Sequence, residues 1–358
     1  MKMMHENRNA ASAAICGRAV GPAAPAYIIA ELSANHNQDF EQAVRLVRAA
    51  KDCGADAVKL QTYTPDTITI RSDRPEFRVG GGTLWDGRTL YDLYGEAYTP
   101  WDWQPKLKQL ADEIGIHLFS TPFDPSAVDF LQAMDVPAYK VASFELVDLP
   151  LVRKIARTGK PIIMSTGMAT LGEIDEAVQA IREAGGRELA LLKCTSGYPA
   201  LPEEMNLRTI PHLAEAFGLP VGLSDHTLDN AVAVAAVALG ACIVEKHFTL
   251  SRATPGPDSA FSLEPKEFKA MVEAIRTVEK ALGRVQYGVS PREAASRMFR
   301  RSLYVVEDLR AGELFTEKNV RSIRPANGLP VKEIDRVLGR RAASDIRRGT
   351  PLTNELIS

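Results

Sequence analysis

Eight short apolar runs, each followed by polar residues and then by a stretch of helical period, divide the chain between residues 27 and 284. They fall at residues 27–30, 57–60, 116–119, 138–142, 161–164, 189–192, 220–223 and 242–244. Continuous apolar runs suit strands covered on both faces, as in a parallel sheet; a sheet with one wet face alternates instead. The segments between them, such as residues 40–53, 125–134, 171–184 and 265–282, are amphipathic at helical spacing. Eight β-then-α units predict an α/β fold, a closed (β/α)8 TIM barrel. An open doubly wound sheet is the structural alternative. It would carry a glycine fingerprint after its first strand, and Glu31-Leu-Ser-Ala-Asn-His-Asn37 is not one.

Residues 15–21 read as a small hairpin plugging the barrel floor, and the Ala-rich residues 10–15 as a loose extension rather than a signal peptide. Residues 62–100 form an unusually long βα connection, with Gly80-Gly-Gly82 and the aromatics Trp85, Tyr91, Tyr94 and Tyr98. Long inserts at this face are commonly functional, so a lid or substrate wall is one reading of residues 80–98 and a solvent loop the other. After Leu282 the pattern breaks. The expected domains are 1–284 for hairpin and barrel, 285–297 for a linker, and 298–358 for a small β-rich domain punctuated by Gly312, Gly328, Gly339 and Gly349.

With 43 basic and 45 acidic residues, the net charge of -2 offers no general attraction for a polyanion, so a nucleic-acid partner is not expected. No apolar stretch approaches the roughly 20 residues that cross a bilayer. Cys16, Cys53, Cys194 and Cys242 are far apart, which argues against a disulfide framework or a structural zinc site and for a reducing, cytoplasmic setting.

In a barrel enzyme the chemistry comes from the C-terminal ends of several strands. Here every run ends in polar residues: Glu31; Lys59 and Gln61; Ser120 and Thr121; Lys140 and Ser143; Ser165 and Thr166; Thr195, Ser196 and Tyr198; Ser224, Asp225 and His226; Glu245, Lys246 and His247. Buried charge is costly unless paired or used, so a ring of this kind points to a site. His226 and His247 end adjacent strands, roughly 4.8 Å apart, and both imidazoles can reach one ion. Asp225 and Glu245 beside them are candidates to orient them or to hold waters. Nitrogen ligands with open positions suit an exchangeable divalent metal, Mn2+, Mg2+ or Co2+, better than closed structural zinc. His5, His117 and His212 read as surface or packing residues. Lys59 and Lys140, with Ser143, Ser165, Ser196 and Ser224, make a phosphate receptor. Either lysine is alternatively a Schiff-base nucleophile, a reading the metal-binding pair weighs against.

Several strings then become recognisable. Ala30-Glu-Leu-Ser-Ala-Asn-His-Asn37, Lys59-Leu-Gln61, Ser120-Thr-Pro-Phe123, Met164-Ser-Thr-Gly-Met168, Cys194-Thr-Ser-Gly-Tyr-Pro199, Ser224-Asp-His-Thr227, Glu245-Lys-His-Phe248 and Gly256-Pro-Asp258 closely resemble the sialic acid synthase family over nearly the whole chain. The ending around Ile323-Arg-Pro-Ala-Asn-Gly328 is similar to that family's antifreeze-protein-like (SAF) domain. Leu32-Ser-Ala34, the insert from Gly82 to Tyr91, Ala142-Ser-Phe-Glu-Leu146 and Asp258-Ser-Ala-Phe-Ser262 look like its pseudaminic branch.

The resemblance implies a transferase that condenses phosphoenolpyruvate with an open-chain amino-sugar aldehyde, releasing phosphate by C–O cleavage and forming a nine-carbon 2-keto acid. For the pseudaminic branch the sugar is 2,4-diacetamido-2,4,6-trideoxy-altrose; the neuraminate and legionaminate alternatives use an N-acetylmannosamine-type sugar. By match to the family motifs, Lys59, Lys140, Ser143, Ser165, Ser196 and Ser224 hold phosphoenolpyruvate, although Ser196 stands where many relatives carry asparagine. Gln61, Tyr198 and Asp258 join the substrate-binding set, and Glu31 sits near the reacting carbons as sugar anchor or proton acceptor. His226 and His247 hold the metal. In the family, the small domain of one subunit covers the barrel mouth of its partner and contributes an arginine, here Arg324. A domain-swapped homodimer follows, with Arg324 acting in cis or in trans left open.

Overall fold

The computed structural model describes residues 13–15 and 17–358. These divide into two compact units, one ending at Gly283 and the other running Arg284–Ser358.

The first unit opens with two short antiparallel strands, β1 (Ala13–Ile15) and β2 (Arg18–Val20). Eight parallel strands follow: β3 (Tyr27–Glu31), β4 (Ala57–Thr62), β5 (His117–Pro122), β6 (Tyr139–Val141), β7 (Ile162–Ser165), β8 (Leu189–Cys194), β9 (Val221–Asp225) and β10 (Ile243–His247). They close in sequence order, with β10 pairing β3, so the expected barrel is present. Every apolar run overlaps a strand, although those expected from residues 116, 138, 161, 220 and 242 begin one residue early, and several strands continue into the polar residues beyond. The eighth run, expected over residues 242–244, reaches His247 because inward-facing polar side chains leave the backbone ladder intact.

The helices of this unit are α1 (Phe40–Asp52), α2 (Pro65–Ile68), α3 (Leu90–Ala97), α4 (Gln104–Ile114), α5 (Pro125–Ala133), α6 (Leu149–Arg157), α7 (Leu171–Glu183), α8 (Thr209–Phe217), α9 (Asn230–Ala238) and α10 (Pro265–Leu282). Their starts are written locally. Asp39 and Asp124 accept backbone N–H groups at the heads of α1 and α5, and Thr170 with Glu173 forms a capping box on α7.

The β1–β2 hairpin seals the N-terminal end of the barrel. Ile15 and Val20 are buried in the same core cluster as Tyr27, Ala57 and Ile162, Arg18 pairs with Asp56, and the Ala14 N–H donates to Glu188 at 2.8 Å. The loose extension expected over residues 10–15 is corrected in part: Ala13–Ile15 is a paired strand, because its alternate residues are apolar and one face is covered. Residues 10–12, His5 and Cys16 lie outside the described residues.

In the second unit β11 (Ser302–Val305) pairs antiparallel with β12 (Val320–Ile323). A small core of Leu303, Val305, Leu309, Phe315, Val320, Val337, Ala342, Ile346 and Leu352 holds it together.

Candidate active site

Strand alternation decides which polar groups enter the barrel. In β10, Ile243 packs with the interior residues Tyr27, Ile29 and Ala57, while Val244 packs in the outer layer with Leu46, Leu107 and Phe268 of the helices. Glu245 and His247 therefore face inward and Lys246 outward. The register sets His247, Glu31 and Lys59 at one level on β10, β3 and β4.

Opposite charges meet there. Lys59 Nζ lies 2.7 Å from Glu31 Oε2 and 3.3 Å from Glu245 Oε1, with all three side chains buried. Gln61 Nε2 donates to Glu31 Oε1 at 3.0 Å, and the Ser224 hydroxyl donates to Glu245 Oε1 at 3.1 Å. Lys140 Nζ donates to Ser165 Oγ at 2.7 Å and to the Val141 carbonyl at 2.8 Å. Two buried ammonium groups thus face two buried carboxylates, which offsets the cost of desolvating each. Burial dominates the proton affinities that result. It raises Glu31 to about 7 against the pull of Lys59, and it lowers Lys140 to about 8.

The serines converge beside Lys140. Ser143 Oγ accepts the Gly167 N–H at 3.0 Å. A Cβ at Gly167 would come within 2.7 Å of that hydroxyl and closer still to Ser196, so glycine lets both serines close in. Lys140, Ser143, Ser165 and Ser196 then share one wall rich in donors.

The histidine rings are 5.3 Å apart, centre to centre, and both are buried. His226 Nδ1 lies 2.8 Å from the Thr195 carbonyl, which can only accept, so Nδ1 carries a proton and Nε2 is the nitrogen left for a ligand. His247 Nδ1 is buried with no hydrogen-bond partner among the described residues. Burial first, then His226, Lys59 and Lys246, push His247 well below the usual imidazole range and keep it neutral. His226 is shifted the other way: its burial is outweighed by Cys194 and the Thr195 carbonyl, which raise it, so it ligates a metal on releasing its Nε2 proton. With that proton gone, the two imidazoles are metal-ligand chemistry, and the pair fits a divalent ion. No group of three or more His, Cys, Asp or Glu able to hold a metal is present among the described residues, so the fit rests on the two imidazoles.

One sequence expectation is corrected here. Asp225 neither orients the histidines nor faces them. It points outward from β9, pairs with Lys246 at 2.7 Å, and accepts the Thr227 N–H and hydroxyl at 2.9 and 2.8 Å. Glu245 does face inward, but its hydrogen bond and ion pair go to Ser224 and Lys59.

Aromatic rings wall the histidines. The Tyr198 ring lies tilted 4.4 Å from His226 and edge-on 6.3 Å from His247, and Phe261 lies 4.9 Å from His247 and 5.1 Å from Tyr198. Asp258 Oδ2 accepts the Ala34 N–H at 3.2 Å, and burial raises its carboxyl to about 6. Phe261 and Glu145 fall within the branch-like strings, but nothing in the sequence places either of them in the site. Glu145 has a buried Oε2 without a hydrogen-bond partner among the described residues, and burial, opposed by Lys140 and Lys59, raises it to about 7. Its sequence signals are a position just beyond the fourth strand end and membership of the branch-like string Ala142-Ser-Phe-Glu-Leu146. His117 and His212 stay outside the ring: the first bonds Tyr27 Oη at 2.6 Å and the second is exposed. Arg324 belongs to the second unit, directly after β12, exposed and with no side-chain partner among the described residues.

Comparison with known proteins matches the NeuB family over residues 46–287 and the SAF domain over residues 300–358. Pseudaminic acid synthase from Campylobacter jejuni subsp. jejuni is 47% identical over 91% of this chain and 95% of that protein. N,N'-diacetyllegionaminic acid synthase from Legionella pneumophila is 36% identical over 94% and 96%. Among solved structures, the N-acetylneuraminic acid synthetase of Leptospira borgpetersenii, in complex with citrate, superposes with a TM-score of 0.71 at 29% identity, covering 80% of this chain and 95% of that one.

Proposed function

The chain belongs to the NeuB family, and on that premise we propose that it is a pseudaminic acid synthase, condensing phosphoenolpyruvate with 2,4-diacetamido-2,4,6-trideoxy-altrose. The observation that carries this reading is the mouth itself: a donor-rich wall at Lys140 and a charge-balanced Lys59 beside a buried pair of imidazoles. Identity of 47% with a pseudaminic acid synthase, against 36% with a legionaminic acid synthase, supports the branch.

In this reading Lys59, Lys140, Ser143, Ser165, Ser196 and Ser224 bind phosphoenolpyruvate, with the ammonium groups neutralising its phosphate and carboxylate. A divalent ion on His226 and His247 would supply Lewis-acid polarisation of the sugar's aldehyde oxygen. Carbon three of phosphoenolpyruvate attacks the aldehyde carbon, and positive charge develops at carbon two. Glu31, at about 7, is poised to accept a proton from the water that adds there, and Glu145 is a second carboxyl in the same range. The tetrahedral carbon then expels inorganic phosphate as the C–O bond breaks. Gln61 holds Glu31 in place, while Tyr198 and Asp258 position the sugar.

We also infer that a second copy completes the site through Arg324. Phe144, Val147, Met168, Leu201 and Leu228 on the loops after β6 to β9, with Leu171 at the start of α7, leave an exposed apolar rim, which supports coverage by another chain. A cytoplasmic setting is supported by the buried free thiols of Cys53, Cys194 and Cys242; among the described residues, no helix is long and apolar enough to cross a membrane.

Phosphate release from phosphoenolpyruvate tests the reading. Turnover is expected with the altrose derivative. Turnover with N-acetylmannosamine and none with the altrose derivative would overturn the branch.

A further inference from the structure

The insert between β4 and α4 sends one aromatic ring into the active site. Residues 79–88 form a turn-tipped hairpin: the Val79 N–H donates to the Arg88 carbonyl at 2.9 Å, and the Gly87 N–H donates to the Val79 carbonyl at 2.8 Å. Its tip is locked from within. Asp86 accepts the Gly82 N–H at 2.9 Å, and the Thr83 N–H and hydroxyl at 2.8 Å each. Gly81, Gly82 and Gly87 have φ of 96°, 82° and 84°, which L side chains rarely adopt. The locked tip presents Trp85.

Trp85 is half-buried, and its position is fixed at both ends. The indole N–H donates to the Pro257 carbonyl at 2.9 Å, tying the insert to the loop after β10. The ring lies 5.9 Å from Tyr198 and 6.2 Å from Phe261, and edge-on to the latter at 89°. Tyr198 and Phe261 in turn contact His226 and His247. Trp85 is therefore one ring further from the histidine pair than its two aromatic neighbours.

That order has a consequence for an extended substrate. If the aldehyde carbon of an open-chain sugar reacts beside the histidines, the far end of the chain lies toward Trp85. An aromatic face favours an apolar terminus over a hydroxyl that would lose its hydrogen bonds to water there.

We propose that Trp85 is a specificity-determining residue that recognises the apolar, deoxy end of the acceptor sugar, acting with Tyr198 and Phe261 as one wall. The proposal rests on the function given above. Trp85 does not touch the reacting atoms; it discriminates between acceptors.

The test compares wild type, Trp85→Phe and Trp85→Ala in phosphate release, with the 6-deoxy diacetamido-altrose and with N-acetylmannosamine as acceptors. Loss of a well-packed apolar contact costs about 10- to 200-fold in discrimination. Trp85→Ala is expected to lose about tenfold or more in kcat/KM for the deoxy sugar, with little change for N-acetylmannosamine and an unchanged KM for phosphoenolpyruvate. Trp85→Phe, which keeps a ring and loses the bond to Pro257, is expected to retain most of the preference. Addition of the deoxy sugar should also shift the tryptophan emission of wild type and not that of Trp85→Phe. Wild-type turnover with an unchanged acceptor ratio in Trp85→Ala would overturn the role of Trp85 alone. A wild type that turns over neither sugar would remove the functional reading, and this proposal with it.

Discussion

The two units handle charge in opposite ways. The barrel takes charge inside: Glu31, Lys59, Lys140 and Glu245 are all buried, paired or hydrogen-bonded at one end of the strands. The small unit keeps an apolar core and leaves its charges on the surface, with 15 basic against 9 acidic residues over 284–358, while the rest of the chain carries 28 against 36. Charge inside a barrel persists only where pairing or chemistry compensates its desolvation. Charge outside costs little, and it is available for another surface. The barrel therefore holds the buried charge that a reaction can use, and the arginine-rich unit holds only charge that faces solvent.

Replacing both His226 and His247 by Ala puts that contrast to its strongest test. Phosphate release is expected to fall by about a thousandfold or more, as does exhaustive chelation, with Mn2+ restoring activity to the chelated wild type only. Chelator-resistant turnover would remove the metal from the reading.

Lys59→Met leaves Glu31 and Glu245 buried without their shared cation. Breaking a buried pair in this way costs about 3–5 kcal/mol, to be read from the urea midpoint. Arg324→Ala, on an exposed residue, should shift stability by no more than about 0.5 kcal/mol. Equal losses in the two variants would erase the distinction between the units.

Arg324→Ala should nevertheless lose about tenfold or more in kcat/KM for the sugar, in line with the loss of a charged hydrogen-bond donor. Mixing it with Lys59→Met separates cis from trans. If the arginine acts across subunits, mixed dimers regain one intact site, and activity rises above that of either variant alone. If it acts in cis, the mixture stays at the average of the two.

The smallest effect concerns pH. Burial lowers Lys140 to about 8, with Lys59 adding to the depression and Glu245, Cys194 and Glu31 opposing it. The ammonium is present below that pH and is lost as pH rises through it, so KM for phosphoenolpyruvate should climb above about pH 8 in wild type. Lys140→Gln should have a raised KM at every pH and no such climb.

Much of this was legible in the chain itself. The eight apolar runs named the strands because a strand buried on both faces leaves a continuous signal. The strand-end residues Glu31, Lys59, Lys140, His226 and His247 stood out because charged groups directly after such runs have no other common explanation. Glu145 and Phe261 sit in strings that resemble the branch, yet nothing in the sequence marks them as site residues. They lie in connecting loops, where neither period nor composition distinguishes a residue that turns inward from one that faces water. Asp225 misled for a related reason. It adjoins His226, but neighbours on a strand point to opposite faces.

By itself, then, the sequence determined the barrel, its order of strands and most of the polar ring, because these follow from local period and from the cost of burying charge. Only the tertiary structure decided the partners within the ring. Whether Lys59 meets Glu31 or Glu245, whether Asp225 faces His226 or Lys246, and whether Trp85 ends in solvent or against Tyr198 all depend on strand register and loop closure. Those join residues far apart in the chain, and no local pattern encodes them.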